Sequence, residues 1–448
     1  MILSGSGKNK KKTGPGRICV NICVISDIHG NLPALKAILK SSAAKKARRF
    51  FFLGDFLGYS PFPNETVSLL RKNNNTISII GNYDLKVLRR KRSKDAVKDF
   101  SFSWTHKHTS PEAKRYLQTL PEQRMTTVCG KKILLVHGST FSNEEGIDEN
   151  SPLKKLRRIA RTAGADIILC GHTHRPFVKK VGAVWFINPG GAGRSFDSDT
   201  ASSYAMLSIT SKAFKVKFYR LAYPLKKVII EMHKKKFPYA IRESLMLAQS
   251  LDDLKSIEDP KEAAQKIMRL YECELPHARQ VAKLSILLFN RLKALHRLGK
   301  RKRLILECAA LMHDAGAYYG KKEHHRISCE IILNTALLPF ETKERLLTAL
   351  IARYHRRALP NKTHSYFSSL GQKDKHEMLR LAALLRLADA LDHSHRQLVR
   401  DIRVEKKPRK VVLKIGAKGF SKEDYVTAYK KADLFKMAFG LKTVIDWH

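Results

Sequence analysis

Long apolar runs are missing from this 448-residue chain. None reaches the roughly 18 residues that a membrane-spanning helix needs, so no membrane association is expected. Residues 1–3 are apolar, but a Gly/Lys-rich stretch follows at once, so no secretory leader is expected either. Acidic residues are scarce: 40 Asp and Glu stand against 85 Lys and Arg, a formal net charge of +45. Cysteine is sparse. The seven residues Cys19, Cys23, Cys129, Cys170, Cys273, Cys308 and Cys329 are odd in number and lie mostly in apolar runs. They read as buried free thiols, and the compartment that suits them is a reducing cytoplasm. Cys19 and Cys23 do not form a C-x-x-C motif. Gly5-Ser-Gly-Lys8 lacks a preceding strand and a following Ser or Thr, so it is not a phosphate loop.

What is present suffices for ordinary globular cores. Hydrophobic residues make up 43% of the chain, and its length suits two to three domains. The positive charge comes in runs, among them Lys8 to Lys12, Arg89 to Arg92, Lys154 to Arg161, Lys300 to Arg303 and Lys406 to Lys410. It admits two readings. A positive surface concentrates anionic substrates and binds nucleic acid without sequence preference; alternatively, a lysine-rich composition merely solvates the faces of the fold. Residues 1–16, rich in Gly and Lys with little to bury, read as a disordered basic tail.

The first half carries a scattered set of metal-ligand types: Asp27 and His29, Asp55, Asn82, His137, His172 and His174. Nearly all follow a short apolar run, such as Phe50-Phe-Phe-Leu53 before Gly54-Asp55 or Ile133-Leu-Leu-Val136 before His137. Such runs are buried strands of an α/β sheet, and ligands at their carboxyl ends converge on one crevice. Any one of these residues alone would pass for a solvated loop residue; five strand-end clusters in succession would not. Carboxylate, amide oxygen and imidazole together suit two first-row divalent ions rather than a thiolate site. Asp55 would bridge the pair. Two such ions hold a phosphate and activate a water for in-line attack.

The order D-x-H, G-D, G-N-x-D, H-G and G-H-T-H resembles the calcineurin-like metallophosphoesterases. The stretches DIHGNLPALKAIL, GDFLGYSPFPNETVSLL, VHGST, CGHTHRPF and Asn188-Pro-Gly-Gly191 are similar to the family's bacterial branch of small phosphodiesterases. The resemblance spans residues 17–224 and implies a two-sheet α/β sandwich. It implies one metal on Asp27, His29, Asp55 and His174, and another on Asp55, Asn82, His137 and His172. Manganese is the foremost expectation, with iron, nickel or zinc as alternatives. Asp55, Asn82 and His137 are the expected catalytic residues. The chain departs from much of the family at Tyr83, where a His thought to protonate the leaving group is usual.

Other features of this half fill in the site. Asn64 to Leu70 reads as a helix with Asn64 as its cap. Residues 86–120 are basic and helical in pattern and are expected to lie over the crevice, with His106 and His108 on their surface. Arg175 and Arg194 are candidates for holding a substrate phosphate. Residues 225–262 lose the strand pattern and read as a helical linker.

From residue 263 to 448 the pattern is helical, and an all-α domain is expected. A second ligand set appears: His277, His313 and Asp314, His324, His355 and Asp389. A lone His-Asp pair is weak, but one joined by distant His and Asp residues on other helices can close a metal site in a bundle. The stretches Ala-Leu-Met-His313-Asp314-Ala-Gly, Arg353-Tyr-His355-Arg-Arg-Ala-Leu-Pro360 and Leu-Ala-Asp389-Ala-Leu-Asp392 resemble the HD superfamily of metal-dependent phosphohydrolases. They are most similar to the C-terminal HD-like domain of the exopolyphosphatase/guanosine pentaphosphatase family. That resemblance implies one or two divalent ions on His277, His313, Asp314 and Asp389, with His324 and His355 available to the second ion. Asp314 would be catalytic.

The expected function is therefore a metal-dependent phosphodiesterase or phosphatase, with an HD domain that hydrolyses or senses a phosphorylated metabolite such as a nucleotide, cyclic nucleotide or polyphosphate. Two alternatives stand beside it. One is a nuclease or phosphatase processing nucleic-acid ends, with the basic surface capturing substrate. The other is a polyanion-binding regulator whose metals are structural.

Overall fold

A computed structural model describes the backbone of residues 2–4 and all of residues 20–73 and 75–447. The chain divides into two compact units at Asp253/Leu254.

The first unit is built on two sheets. One has six strands in the order β1 (Ile2–Ser4), β11 (Phe214–Leu221), β10 (Ser202–Ile209), β2 (Val20–Ile25), β3 (Arg49–Phe52) and β4 (Thr76–Ser78). The neighbours β2, β3 and β4 run parallel. The other has five, in the order β5 (Gln123–Val128), β6 (Lys131–Val136), β7 (Ile167–Leu169), β9 (Val184–Asn188) and β8 (Phe177–Val181). Here β6, β7 and β9 run parallel. Alternation along each strand sends side chains to opposite faces. Thus Ile133 and Leu135 of β6 join Ile22, Val24, Phe51 and Leu207 in the core between the sheets. Their neighbours Leu134 and Val136 face the other way.

The helices of this unit are α1 (Leu32–Lys40), α2 (Pro63–Arg71), α3 (Asn82–Leu88), α4 (Ala96–His108), α5 (Pro111–Gln118), α6 (Leu153–Ala163), α7 (Leu225–Lys234) and α8 (Tyr239–Leu247). Helix α6 lays Leu156, Ile159 and Ala163 on the face that Leu134 and Val136 present. Pro occupies the first turns of α1, α2 and α5, where its missing N–H is no loss.

Several details differ from the expectations. Residues 2–4 of the expected tail form β1, paired antiparallel with Lys215–Lys217; the edge of β11 offers free backbone groups, and pairing satisfies them. The remainder of that tail, like Cys19, lies outside the described residues. The cap of α2 is Phe62, not Asn64. Asn64 instead accepts from the Ser110 N–H at 2.7 Å and donates to the His108 carbonyl at 2.8 Å, tying α2 to the turn between α4 and α5. Residues 225–253, read as linker, include α7 and α8 and pack with the first unit. The described cysteines are free: Cys23, Cys170, Cys273, Cys308 and Cys329 are buried and Cys129 partly so.

The second unit is mainly helical. Its central helix, Gln372–Ala390, buries nearly every residue from Leu381 onwards, as a helix does when others surround it. Packed around it are the helices Leu275–Arg291, Lys300–Met312 and Thr342–Arg353. Against the all-α expectation, this unit also holds a three-stranded sheet: β12 (Val399–Lys407), β13 (Lys410–Ala417) and β14 (Lys442–Trp447). The run Lys406 to Lys410 spans the hairpin, with Pro408 and Arg409 as the turn between β12 and β13. Its charge hid the alternation of buried Val411, Leu413 and Ile415 that marks a strand.

Candidate metal centres

In the first unit the expected ligands meet at the carboxyl ends of the strands. Asp27 and His29 follow β2, Asp55 follows β3, Asn82 opens α3 after β4, His137 follows β6, and His172 and His174 follow β7. Each loop must reverse sharply to aim a ligand inward. Asp27, His29, Asp55, His172 and His174 accordingly adopt positive φ, between 50° and 66°. Residues with a Cβ rarely occupy that region, and such strain clusters where a site demands it. Close approach matters as much. A Cβ on Gly81 would lie 2.1 Å from Asp55 Oδ1, and one on Gly171 would lie 3.0 Å from Asp27 Oδ2.

Asp55 stands at the middle. Its Oδ1 accepts the Tyr83 N–H at 2.8 Å. Its Oδ2 lies 3.6 Å from His29 Nε2 and 3.4 Å from His137 Nε2. On one side, His29 Nε2 and His174 Nε2 are 3.3 Å apart, and His174 Nε2 is 3.4 Å from Asp27 Oδ1. On the other, Asn82 Oδ1 is 2.9 Å from His137 Nε2 and 3.2 Å from His172 Nδ1. The second nitrogens fix the tautomers. His29 Nδ1 is 3.0 Å from the Leu57 carbonyl, His137 Nδ1 is 2.7 Å from the Leu53 carbonyl, and His174 Nδ1 contacts the Arg194 carbonyl. A carbonyl only accepts, so each Nδ1 carries a proton, and on His29 and His174, which burial keeps neutral, Nε2 turns a lone pair to the centre. Two such lone pairs at 3.3 Å repel unless a proton or cation lies between them. The donor set therefore fits divalent cations.

The local electrostatics agree. Burial opposes charge on Asp55, but His137, His29 and His172 outweigh it and hold the carboxyl well below its usual range. Burial and the Asp55 charge push Asp27 up to about 7. Burial lowers His29 and His172 to about 4. Burial also lowers His137, yet Asp55 and Asp27 prevail and raise it to about 9. Such a crowd of displaced titrations marks a functional site. Asp84, absent from the expected set, accepts from the N–H groups of Phe56, Leu57 and Gly81 and so clamps the loops carrying Asp55 and Asn82.

A cavity of about 260 Å³ opens onto these ligands. Lys86 and Tyr83 of α3, and Lys98 and Phe102 of α4, form one wall, where the basic helices were expected to lie. Ser250 to Asp252 form the other, and Lys98 Nζ reaches Asp252 Oδ1 at 2.7 Å across the rim. Arg194 lines the cavity, its guanidinium 3.7 Å from the Tyr59 ring centroid and 2.8 Å from Ser244 Oγ. Arg175 does not line it; the side chain is exposed and donates to the Phe196 carbonyl at 2.9 Å. His106 and His108 also lie away from the lining. Tyr83 donates its hydroxyl to Ser101 at 2.6 Å, and burial raises its pKa well above 10. The sequence placed residues 86–120 over the crevice but did not single out Lys86 or Lys98 among them, and it carried no signal for Tyr59 or Phe196, which lie on loops.

The second unit assembles its own centre from helices. Asp314 Oδ1 is 2.9 Å from His324 Nε2 and 3.6 Å from His355 Nε2. Its Oδ2 is 3.6 Å from His313 Nε2 and 4.0 Å from His277 Nε2. Asp389 Oδ1 completes this side, 3.4 Å from His277 Nε2 and 3.7 Å from His313 Nε2. All six expected residues thus converge, with Asp314 between two groups. His324 and His355 face each other, Nε2 to Nε2, at 3.3 Å. His313 Nε2 is buried without a hydrogen-bond partner, a rare state unless a ligand completes it. Asp392, which was not among the expected ligands, holds His277 Nδ1 at 2.9 Å. Lys431 contacts Asp389 Oδ2 at 2.5 Å. Burial disfavours charge on Asp389, but Lys431 and the imidazoles keep it well below the usual carboxylate range.

Comparison with known proteins divides the chain in the same way. Residues 20–212 match the calcineurin-like phosphoesterase superfamily domain, and residues 261–431 match the Ppx/GppA phosphatase domain III. An uncharacterized protein of Methanocaldococcus jannaschii is 32% identical over 246 residues, which are 51% of this chain and 98% of that one. Phosphodiesterase YfcE of Escherichia coli K12 is 27% identical over 191 residues, 41% of this chain and 84% of that enzyme. Among solved structures, a metallophosphoesterase from Sphaerobacter thermophilus is 27% identical and covers 52% of this chain and 100% of its own, with a TM-score of 0.44.

Proposed function

The chain belongs to the calcineurin-like phosphoesterase superfamily, a family of metal-dependent hydrolases, and from that premise we propose that its first unit hydrolyses phosphodiesters at the cavity beneath Lys98 and Arg194. The observation that carries this reading is the position of Asp55, whose free oxygen faces imidazoles of both ligand groups. Asp27, His29, Asp55 and His174 would hold one divalent ion and Asp55, Asn82, His137 and His172 the other, manganese being the first choice. Ions bound there polarise a phosphoryl oxygen and make water a nucleophile at neutral pH.

The chain's own groups do the rest. Arg194 gives the cavity a positive charge that draws a phosphate inward, while Lys98 and Lys86, paired with Asp252 and Glu144, are cations that a phosphate can recruit. Arg194 is 4% exposed and stacked between Tyr59 and Phe196, so its fork is held in place before substrate arrives. The Tyr83 N–H fixes the orientation of Asp55, while the Tyr83 hydroxyl, committed to Ser101, supplies no proton to a leaving group.

The second unit is read as a metal-binding HD module. His277, His313, Asp314 and Asp389 would hold one ion, with Asp314, His324 and His355 available to another. Its match to a Ppx/GppA domain favours a phosphorylated metabolite, polyphosphate among them, as the species it hydrolyses or senses.

The test is hydrolysis of bis-p-nitrophenyl phosphate by manganese-loaded protein. Asp55→Asn is expected to abolish it and Asp314→Ala to leave it intact. Activity that persists in Asp55→Asn but vanishes in Asp314→Ala would assign the chemistry to the other unit.

A further inference from the structure

Helix α6 carries a feature that the proposed chemistry does not use. Its inner face is the apolar row Leu156, Ile159 and Ala163. Its outer face is cationic: Lys154, Arg157, Arg158 and Arg161 are all exposed. These positions are three or four residues apart, so each faces like charges along the helix, which destabilises it. The first turn holds no acidic residue, and Lys154 and Lys155 lie there against the helix dipole. Lys155 pairs with Glu145 at 3.4 Å. Among the described residues, no carboxylate comes within 4.0 Å of the other four. A row of self-repelling cations whose groove holds Glu145, itself paired with Lys155 and lying within the field of Arg158, keeps a large excess of positive charge and is a better seat for a polyanion than a structural element.

Two further observations narrow the polyanion. Beside α6 lies a groove of about 920 Å³ walled by these cations together with Glu145, Pro152 and Thr162. At its edge Phe141 is 48% exposed, with the Arg158 guanidinium 4.1 Å from its ring centroid. An exposed ring beside arginines is the pairing on which unpaired bases stack. Phe141 also lines a second cavity of about 300 Å³, together with Lys86, Arg89, Lys91 and the ligand Asn82. Asn82 and Lys86 in turn line the catalytic cavity. The α6 groove and the middle cavity share no lining residue, but the contact of Arg158 with Phe141 joins them, and Asn82 and Lys86 join the middle cavity to the metal centre. Glu122 and Glu144 also line the middle cavity, and Lys86 pairs with Glu144 at 3.2 Å.

We propose that α6 and Phe141 bind single-stranded nucleic acid and lead its end along this track to the first metal centre. The dimensions suit it. From Lys154 to Arg161 the helix rises about 10 Å, the span of about three phosphates at 3.4 Å each along a stacked strand. The proposal rests on the phosphodiesterase reading and narrows its substrate to oligonucleotides.

The test is fluorescence anisotropy of a labelled oligo(U) 12-mer with the full chain, repeated over a salt series. In parallel, each variant is assayed on bis-p-nitrophenyl phosphate, which is too small to reach α6. Arg157→Ala/Arg161→Ala is expected to weaken oligonucleotide binding at least tenfold. It should lower the slope of log K against log salt by about 1.4, two single-strand charges. Its hydrolysis of the small diester should match wild type. Phe141→Ala should weaken binding about tenfold through lost stacking. The control Lys410→Ala/Lys418→Ala removes the same charge from the second unit and should change binding little. Equal losses in that control would overturn the proposal, since general charge would then explain binding. So would a Phe141→Ala variant that binds normally while polyphosphate of equal charge competes as well as RNA. Oligonucleotide binding through α6 by a chain that fails to hydrolyse the small diester would sink the phosphodiesterase reading and leave the track standing.

Discussion

Gly81→Ala is the most exacting test of the first centre, because it adds one carbon and changes no ligand. The backbone permits it: Gly81 has φ −94° and ψ 169°, ordinary extended values. Space forbids it. The new Cβ would lie 2.1 Å from Asp55 Oδ1 and 2.3 Å from Asp55 N. Carbon atoms of this kind do not approach closer than 3.0 Å, so the carboxylate must retreat by about 0.9 Å. That movement strains the 2.8 Å bond from the Tyr83 N–H and turns Oδ2 away from His29 and His137. A displacement of about 1 Å at a catalytic constellation lowers rates by about 10²-fold. Overpacking a rigid site destabilises the fold by about 1–3 kcal/mol. The assay is kcat/KM on an aryl phosphodiester, with bound metal counted on the same sample and the denaturant midpoint of the first unit recorded. Gly299→Ala is the control, for its Cβ would meet nothing within 4 Å. A Gly81→Ala protein with wild-type rate and full metal content would refute the reasoning: Asp55 would then not be where the chemistry happens.

Three other perturbations bear on separate parts of the molecule. Asp392→Asn removes the carboxylate from His277 Nδ1 and should weaken metal binding at the second centre about 10–100-fold, read by metal titration, while first-unit hydrolysis is unchanged. Arg194→Lys keeps the charge but loses the stacked fork, and should raise KM for a phosphodiester more than it lowers kcat. Burial, aided by Arg242, lowers His233 from 6.5 to about 4. The unfolded chain therefore takes up the proton first, so this stability is present above pH 6.5 and is lost as pH falls towards 4. His233→Gln should flatten the pH dependence of the denaturant midpoint across that window, and an unaltered curve would count against a half-buried neutral imidazole.

The sheets of the first unit were legible because their strands are short apolar runs ending in ligands. Phe50-Phe-Phe-Leu53 before Gly54-Asp55 announces both the strand and the turn. The walls of the cavity were legible only in part: residues 86–120 were expected over the crevice, but not which of their side chains line it. Lys98 and Phe102 sit on a helix with no distinct apolar face, and Ser250 to Asp252 lie about 150 residues further on. Only the fold brings them together. The same limit explains Arg175 and Arg194. Both are arginines near the last ligand, but the turn through Gly190 and Gly191 carries Arg194 inward beneath Tyr59, while Arg175 is left on the surface. The small sheet of the second unit escaped notice because Lys and Arg occupy its outward positions and its turn, so composition outweighed alternation.

The two centres reach one arrangement by different means, and the difference predicts how each responds to damage. In both, an aspartate stands between two groups of imidazoles whose outer nitrogens are tied back to acceptors. In the first unit those acceptors are remote: His29 is held by Leu57, His137 by Leu53, 84 residues away, and His174 by Arg194. In the second, three of the four are local, the exception being His277, held by the remote Asp392. His313, His324 and His355 each bond the carbonyl three residues earlier, at Ala310, Lys321 and Ala352. A local carbonyl orients its imidazole wherever that short segment keeps its backbone form. A remote one does so only while the sheets stay packed. Loosening the core between the sheets, as Leu53→Ala would do, should therefore misalign the first set of ligands well before the unit unfolds. Loosening the second unit to the same degree, as Leu384→Ala would do, should leave His313, His324 and His355 oriented and alter mainly how closely the helices approach, with His277 alone depending on a remote partner. Metal titrations at matched losses of stability distinguish the cases: affinity should fall far more steeply in the first unit, and equal falls would mean that remote and local acceptors orient their ligands alike.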